Sequence, residues 1–195
     1  MNETDWIQQS LKGNSGAFGR LVRAYQTPVY NLAYRMLGER MEAEDAAQET
    51  FLRAFQRLRQ YDSARPFRNW ILSIAANHCI DRIRRQRPTL PLDDVPLGTT
   101  YSPETAMLHS EGRDRIQRLL MELSPDDRAV ITLRYWYDCS CEEIAQAMET
   151  SVSAVKSRLH RARLTLAAQL NPTMLDVPEE AIICAEPVLE AYHGM

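Results

Sequence analysis

Apolar residues recur at helical spacing along most of the chain. The first stripe covers residues 18–37, and Gly38 ends it. Ser15 is placed to cap this helix, while Pro28 predicts a kink or a restart within it. Two further stripes follow, one of Ala47, Phe51, Ala54, Phe55 and Leu58, the other of Phe67, Trp70, Ile71, Ile74 and Ile83. Since no segment alternates with period two for long enough to indicate a strand, the pattern predicts an all-α fold.

A proline-rich stretch divides the chain into two small helical domains. Residues 88–102, which end just before Pro103, contain three prolines among small and acidic residues, so they predict a linker. We therefore expect an N-terminal domain over 1–87, a C-terminal domain over 103–170 and an acidic extension over 171–195. The C-terminal domain has helix-start signals at Ser102-Pro103-Glu104 and Ser124-Pro125-Asp126-Asp127, and an apolar stripe of Leu108, Ile116, Leu119, Leu120 and Leu123.

Residues 140–170 have the pattern of a helix-turn-helix motif. Ser140 and Glu143 form a capping box that opens a short helix, and Ser151 caps the next helix after a turn. The apolar residues of that second helix predict its buried face: Val155, Leu159, Ala162 and Leu166.

The opposite face of the second helix is polar and basic. It presents Ser153, Ser157, His160 and Arg161, with Lys156 and Arg163 at its flank. Hydroxyl groups can approach base edges, and cations can contact phosphates or guanine, so the face suits a recognition helix in the major groove. The local pattern is equally typical of an amphipathic surface helix with solvated charges, and by itself it leaves both interpretations open.

Charge is distributed unevenly along the 195 residues. The net charge is −3, yet residues 1–88 carry +5, 89–127 carry −5, 128–170 carry +2 and 171–195 carry −5. The two basic blocks allow a polyanionic partner, which the tail would repel. The tail either folds back on a basic surface or is disordered.

Several functional classes are disfavoured by composition. Seven glycines without a glycine-rich loop argue against nucleotide-binding folds, and no apolar run is long enough to cross a membrane. Cys139 and Cys141 have too few neighbouring ligands for a typical zinc site, although Cys184 and His193 leave metal binding or oxidation open. We expect no cofactor, no metal, no catalytic residues, no membrane insertion and a cytoplasmic location.

Four sequence blocks resemble the extracytoplasmic-function (ECF) type of bacterial sigma factor. They are 43–51 (AEDAAQETF), 67–71 (FRNWI), 142–145 (EEIA) and 155–163 (VKSRLHRAR), in family order and spacing. The resemblance covers roughly residues 15–170. It implies a transcription initiation factor that binds core RNA polymerase and directs it to promoters. It also leaves room for an anti-sigma factor as a partner.

The resemblance also implies which residues contact the polymerase and which contact the promoter. Asp45, Gln48 and Glu49 would dock on the clamp of the polymerase large subunit. The −10 element, including a flipped base, would be contacted by Tyr61, Asp62, Ser63, Arg65, Asn77, Arg84 and Arg85. The −35 element would be contacted by Ser153, Lys156, Ser157, His160 and Arg161. Trp70 lies on the apolar stripe, so we expect it in the core rather than stacked on a base.

One departure and two rival interpretations accompany the resemblance. Ser153-Ala154 stands where the family usually has Gly-Thr, so the family's −35 preference does not transfer directly. A freestanding helix-turn-helix repressor would explain residues 140–170 but gives the Asp45, Gln48 and Glu49 face no role. A helical adaptor that binds only proteins would require no DNA contact at all.

Overall fold

The computed structural model describes residues 2–86 and 110–170, and both segments are helical. The first segment, the predicted N-terminal domain, contains α1 (Glu3–Leu11), α2 (Ser15–Leu37), α3 (Arg40–Arg57) and α4 (Phe67–Gln86), with a 3-10 turn at Leu58–Gln60. The second segment, which belongs to the predicted C-terminal domain, contains α5 (Ser110–Met121), α6 (Pro125–Tyr137), α7 (Cys141–Ala147) and α8 (Val152–Leu170). Within the described segments no strand occurs, which confirms the all-α prediction.

Helix α2 differs from its prediction at its N-terminal cap. Its cap is Asn14, whose side chain accepts from the Ala17 amide, rather than Ser15. The helix also continues through Pro28 without a restart, although a proline in a helix interior removes one backbone hydrogen bond. It ends as predicted at Gly38, which adopts a φ of 82° that favours glycine.

Helix α1 is an element that the apolar stripes did not reveal. Asn2 and Asp5 form a reciprocal capping box, and Ile7 is buried against α2. The cap pattern is present in the sequence, but the apolar stripe is too short to signal a helix before its packing partner is known.

Alanines form the buried face of α3. Ala43, Ala46 and Ala54 are completely covered, and so is Thr50, whose hydroxyl donates to the Ala46 carbonyl. Because these side chains are small, α3 lies close against α2 and α4, and its longer side chains point outward.

The two domains pack against each other through α2 and α4 on one side and α5, α6 and α7 on the other. The Tyr137 hydroxyl donates to the Pro28 carbonyl at 2.6 Å, and Gln117 Nε2 donates to the Tyr34 carbonyl at 3.1 Å. Arg128, 7% exposed, reaches from α6 to the Met36 carbonyl. The described residues therefore form a closed arrangement of the two domains.

Candidate polymerase and DNA interfaces

The outer face of α3 presents two of the three predicted polymerase contacts to solvent. Gln48 is exposed, and the Asp45 side chain is 68% exposed, with Arg82 Nη2 3.9 Å from its carboxylate. Glu49 is half-buried and accepts from Arg53 Nε at 2.7 Å. That hydrogen bond lowers the pKa of Glu49, which keeps its carboxylate charged.

The same face of α3 also exposes large apolar side chains. Met41 is 74% exposed, Leu52 52% and Phe55 46%. The prediction that Phe55 belongs to the buried stripe is therefore wrong, although its ring contacts Phe18 with the centroids 5.0 Å apart. At 100° per residue, Phe55 lies on the side of Asp45, away from the alanine face. The alanines of the inner face were the sequence signal that would have assigned Phe55 to the outer face.

The predicted base-capturing loop follows the 3-10 turn and is stabilised by its own hydrogen bonds. Asp62 Oδ1 accepts from the Ala64 amide at 2.9 Å, and its other carboxylate oxygen lies 3.5 Å from Arg65 Nε. The Tyr61 hydroxyl donates to the Arg65 carbonyl at 2.5 Å. Asp62, Ser63 and Arg65 are exposed, so polar groups are available at the loop tip.

An aromatic cluster supports this loop from below. The ring of Tyr61 lies 5.4 Å from that of Phe67 and 5.2 Å from that of Trp70, and Phe67 also contacts Tyr25. Phe67 is buried, whereas Trp70 and Tyr61 are half-buried. Trp70 therefore packs within the domain and remains partly accessible. The Tyr25 hydroxyl donates to Glu3, so α1 is connected to the same cluster.

The predicted −10 residues of α4 lie beside the C-terminal domain. Asn77 Nδ2 donates to the Ala147 carbonyl of α7 at 3.0 Å, and Arg84 Nη2 pairs with Asp126 of α6 at 2.8 Å. Arg85 is exposed near the end of the helix. In the closed arrangement, Asn77 and Arg84 therefore contact the C-terminal domain, whereas Arg85 is exposed.

The polar face of α8 has the predicted arrangement. Ser153, Lys156, Ser157, His160 and Arg161 are all exposed, and Val155, Leu159, Ala162 and Leu166 are all buried. The first helix of the motif opens with the expected capping box between Ser140 and Glu143. The hydroxyl of Ser151 accepts from the Ala154 amide at 3.2 Å, so the cap of α8 is also as expected.

The described cysteines are not arranged as a metal site. Residues 2–86 and 114–170 contain no cluster of three or more His, Cys, Asp or Glu side chains that could hold an ion, while Cys184 and His193 lie outside the described residues. Burial raises the pKa of Cys79 to about 12 and that of Cys139 to about 11, so both thiols stay protonated at neutral pH.

Comparisons with known proteins agree with this geometry. Residues 21–89 match the Sigma-70 region 2 family and residues 113–166 match the Sigma-70, region 4 family. The ECF RNA polymerase sigma factor SigW of Bacillus subtilis is 39% identical over 176 residues, which cover 84% of this chain and 94% of that protein. The chain belongs to the ECF type of the sigma-70 family. Both matched regions are present, so a freestanding repressor is not favoured.

Other relatives support the assignment. The RNA polymerase sigma-H factor of Pseudomonas aeruginosa is 31% identical over 180 residues, covering 86% of this chain and 93% of that protein. The solved structure of CnrH in complex with the cytosolic domain of CnrY has a TM-score of 0.65 at 28% identity, covering 86% and 96% of the two chains. The sigma factor RpoE of Bartonella quintana, bound to the anti-sigma factor NepR, shares the fold with a TM-score of 0.60 at 20% identity, covering 82% and 98%.

This sigma factor therefore binds core RNA polymerase and directs transcription initiation at specific promoters. Among the described residues, none of its helices meets the length and hydropathy of a membrane span.

Proposed function

We propose that the outer face of α3 binds the polymerase clamp and that the two domains divide the promoter between them. Residues 1–87 would open the −10 element through the loop after Tyr61 and the outer side of α4. Residues 103–170 would read the −35 element through α8. Neither role would require a catalytic step or a cofactor, and we propose that the protein acts in the cytoplasm, together with both partners.

The observation that carries the docking proposal is the composition of the α3 surface. Asp45 and Gln48 lie among three exposed apolar side chains, Met41, Leu52 and Phe55. Exposed apolar residues bordered by polar ones are typical of protein interfaces, and a carboxylate on this face would repel DNA phosphates. A protein partner therefore fits this face better than a nucleic acid.

The proposed roles of the two domains require them to separate on the promoter. Elements named −35 and −10 are about 25 base pairs apart, about 85 Å of duplex. A closed body of roughly 150 residues has a radius of gyration of only about 15 Å, so it cannot contact both elements. The segment between Gln86 and Ser110 can extend to at most about 80 Å, which allows the domains to move apart.

An anti-sigma factor is a further proposed partner. CnrH is solved in complex with the cytosolic domain of CnrY, and the sigma factor RpoE in complex with the anti-sigma factor NepR. The similarity to CnrH supports the proposal that this sigma factor is also held by such a protein.

The test of the docking proposal is a charge reversal at Asp45. The Asp45→Arg variant should lose co-purification with core polymerase and run-off transcription while its thermal unfolding stays unchanged, because the side chain is exposed. Glu122→Arg is the matched control, since Glu122 is also an exposed carboxylate but lies after α5, outside the proposed docking face. If Asp45→Arg binds core polymerase as well as the wild type, the docking face is not here.

A further inference from the structure

The recognition helix holds its exposed arginine in a fixed orientation. Arg161 has a side chain that is 61% exposed, yet its Nε donates to Asp127 Oδ2 at 2.9 Å and its Nη2 donates to Asp127 Oδ1 at 2.7 Å. The Asp127 side chain is only 6% exposed. A planar guanidinium bound at two points by a covered carboxylate loses most of its rotational freedom.

Asp127 is itself fixed by its position in α6. It lies in the first turn of that helix, where its amide donates to the Ser124 hydroxyl at 3.2 Å. Burial raises the pKa of Asp127, but hydrogen bonds with Arg161 and Ser124 outweigh this, so the net pKa is lowered. The carboxylate is therefore ionised at neutral pH and held on a rigid element.

We propose that Asp127 positions Arg161 to read a guanine in the major groove of the upstream promoter element; this inference rests on the proposed function of α8. Asp127 occupies Nε and one hydrogen of Nη2, which leaves both hydrogens of Nη1 and one of Nη2 to donate. Guanine presents O6 and N7 as two adjacent acceptors, which match these donors. Adenine and cytosine present an amino group at the groove, which cannot accept from a guanidinium.

The absence of net charge on the Arg161–Asp127 pair favours base recognition over phosphate binding. Because Arg161 and Asp127 form a pair with no net charge, the pair adds little to the attraction of DNA phosphates. If Asp127 instead neutralised Arg161 to weaken binding to all DNA, removal of its charge would tighten binding to every duplex and leave the base selectivity unchanged.

The experiment uses the complete sigma factor with core polymerase and a set of promoters in which each −35 base pair is replaced in turn. Wild type should prefer guanine at one position by about five- to 150-fold, the discrimination of a bidentate arginine contact. Asp127→Asn, which keeps the shape but loses the charge, should reduce that preference by at least threefold at this position only. It should also make the salt dependence of duplex binding steeper by about one phosphate contact, because Arg161 then acts as an unpaired cation.

Two further variants make the test specific. Asp126→Asn is the matched control: Asp126 neighbours Asp127 and pairs with Arg84 and Arg158, not with Arg161, so its base preferences within the −35 element should be unchanged. Arg161→Lys keeps the charge but loses the planar fork, so it should lose the same guanine preference. Because Arg161 is exposed, this variant should fold even if Asp127→Asn does not.

Three results would overturn the proposal: unchanged guanine preference in Asp127→Asn, an equal loss at every base pair, or tighter binding to all duplexes with selectivity intact. If Asp127→Asn does not fold, unchanged preference in Arg161→Lys overturns it. A wild-type protein that neither binds the polymerase nor responds to any −35 substitution would refute the proposed function instead.

Discussion

Removing one hydroxyl group from the domain interface should shift the balance between closed and open arrangements. The Tyr137 hydroxyl lies at the end of α6 and donates to the Pro28 carbonyl of α2 at 2.6 Å. Burial raises the pKa of Tyr137 to about 12, so the hydroxyl remains a donor throughout the physiological range. The change Tyr137→Phe deletes this donor and leaves the ring in place.

The expected magnitude follows from the single bond that is lost. A hydrogen bond between neutral groups contributes about 1 kcal/mol net, which corresponds to about a fivefold change in an equilibrium constant. The open fraction should therefore rise about fivefold. Asn77 and Arg84, whose groups contact the C-terminal domain in the closed arrangement, would be released in the same proportion.

Energy transfer between one dye in each domain measures this change directly. The control is Tyr135→Phe, on the same helix, because the Tyr135 hydroxyl accepts from Arg163 Nε at 2.9 Å within the C-terminal domain. Tyr135→Phe should leave the transfer efficiency unchanged. Equal efficiencies in Tyr137→Phe and wild type, at matched thermal stability, would mean that this bond does not hold the domains together.

Two further predictions concern the C-terminal domain and the thiols. Leu159→Ala should destabilise the C-terminal domain by about 2–5 kcal/mol, as measured by urea unfolding, because Leu159 is 5% exposed. Leu164→Ala, on the same helix but 43% exposed, should cost much less, and equal losses would contradict the orientation of α8. In native protein, Cys79 and Cys139 should react with a thiol reagent far more slowly than after unfolding, because burial raises both pKa values. Rapid reaction of either, followed by peptide mapping, would refute the assignment as inert core thiols.

The sequence predicts the C-terminal motif well because its signals are local. The capping box of Ser140 and Glu143, the cap of Ser151 and the spacing of Val155, Leu159 and Ala162 all act within a few residues of one another. Capping hydrogen bonds and helical periodicity depend only on residues that are close together in the sequence. Each of these assignments therefore agrees with the structure.

The N-terminal domain is predicted less completely, since its helices depend on how closely they pack. Phe55 has the hydrophobicity of a core residue, yet alanines already fill the contact of α3 with its neighbours. Helix α1 is stabilised largely by packing on α2, and a nine-residue helix is too short to be stable alone. In both cases tertiary packing, which no local pattern encodes, decides the outcome.

Three of the contacts between the domains could not be predicted from the sequence, for a chemical reason. Tyr137, Gln117 and Asn77 donate to backbone carbonyls, and every residue offers that same acceptor. A sequence pattern can reveal a charged pair or an apolar stripe, but it cannot indicate which carbonyl among nearly two hundred will lie opposite a given donor. The same carbonyls are equally satisfied by water once the domains separate. Contacts of this kind therefore suit the proposed separation of the two domains on the promoter.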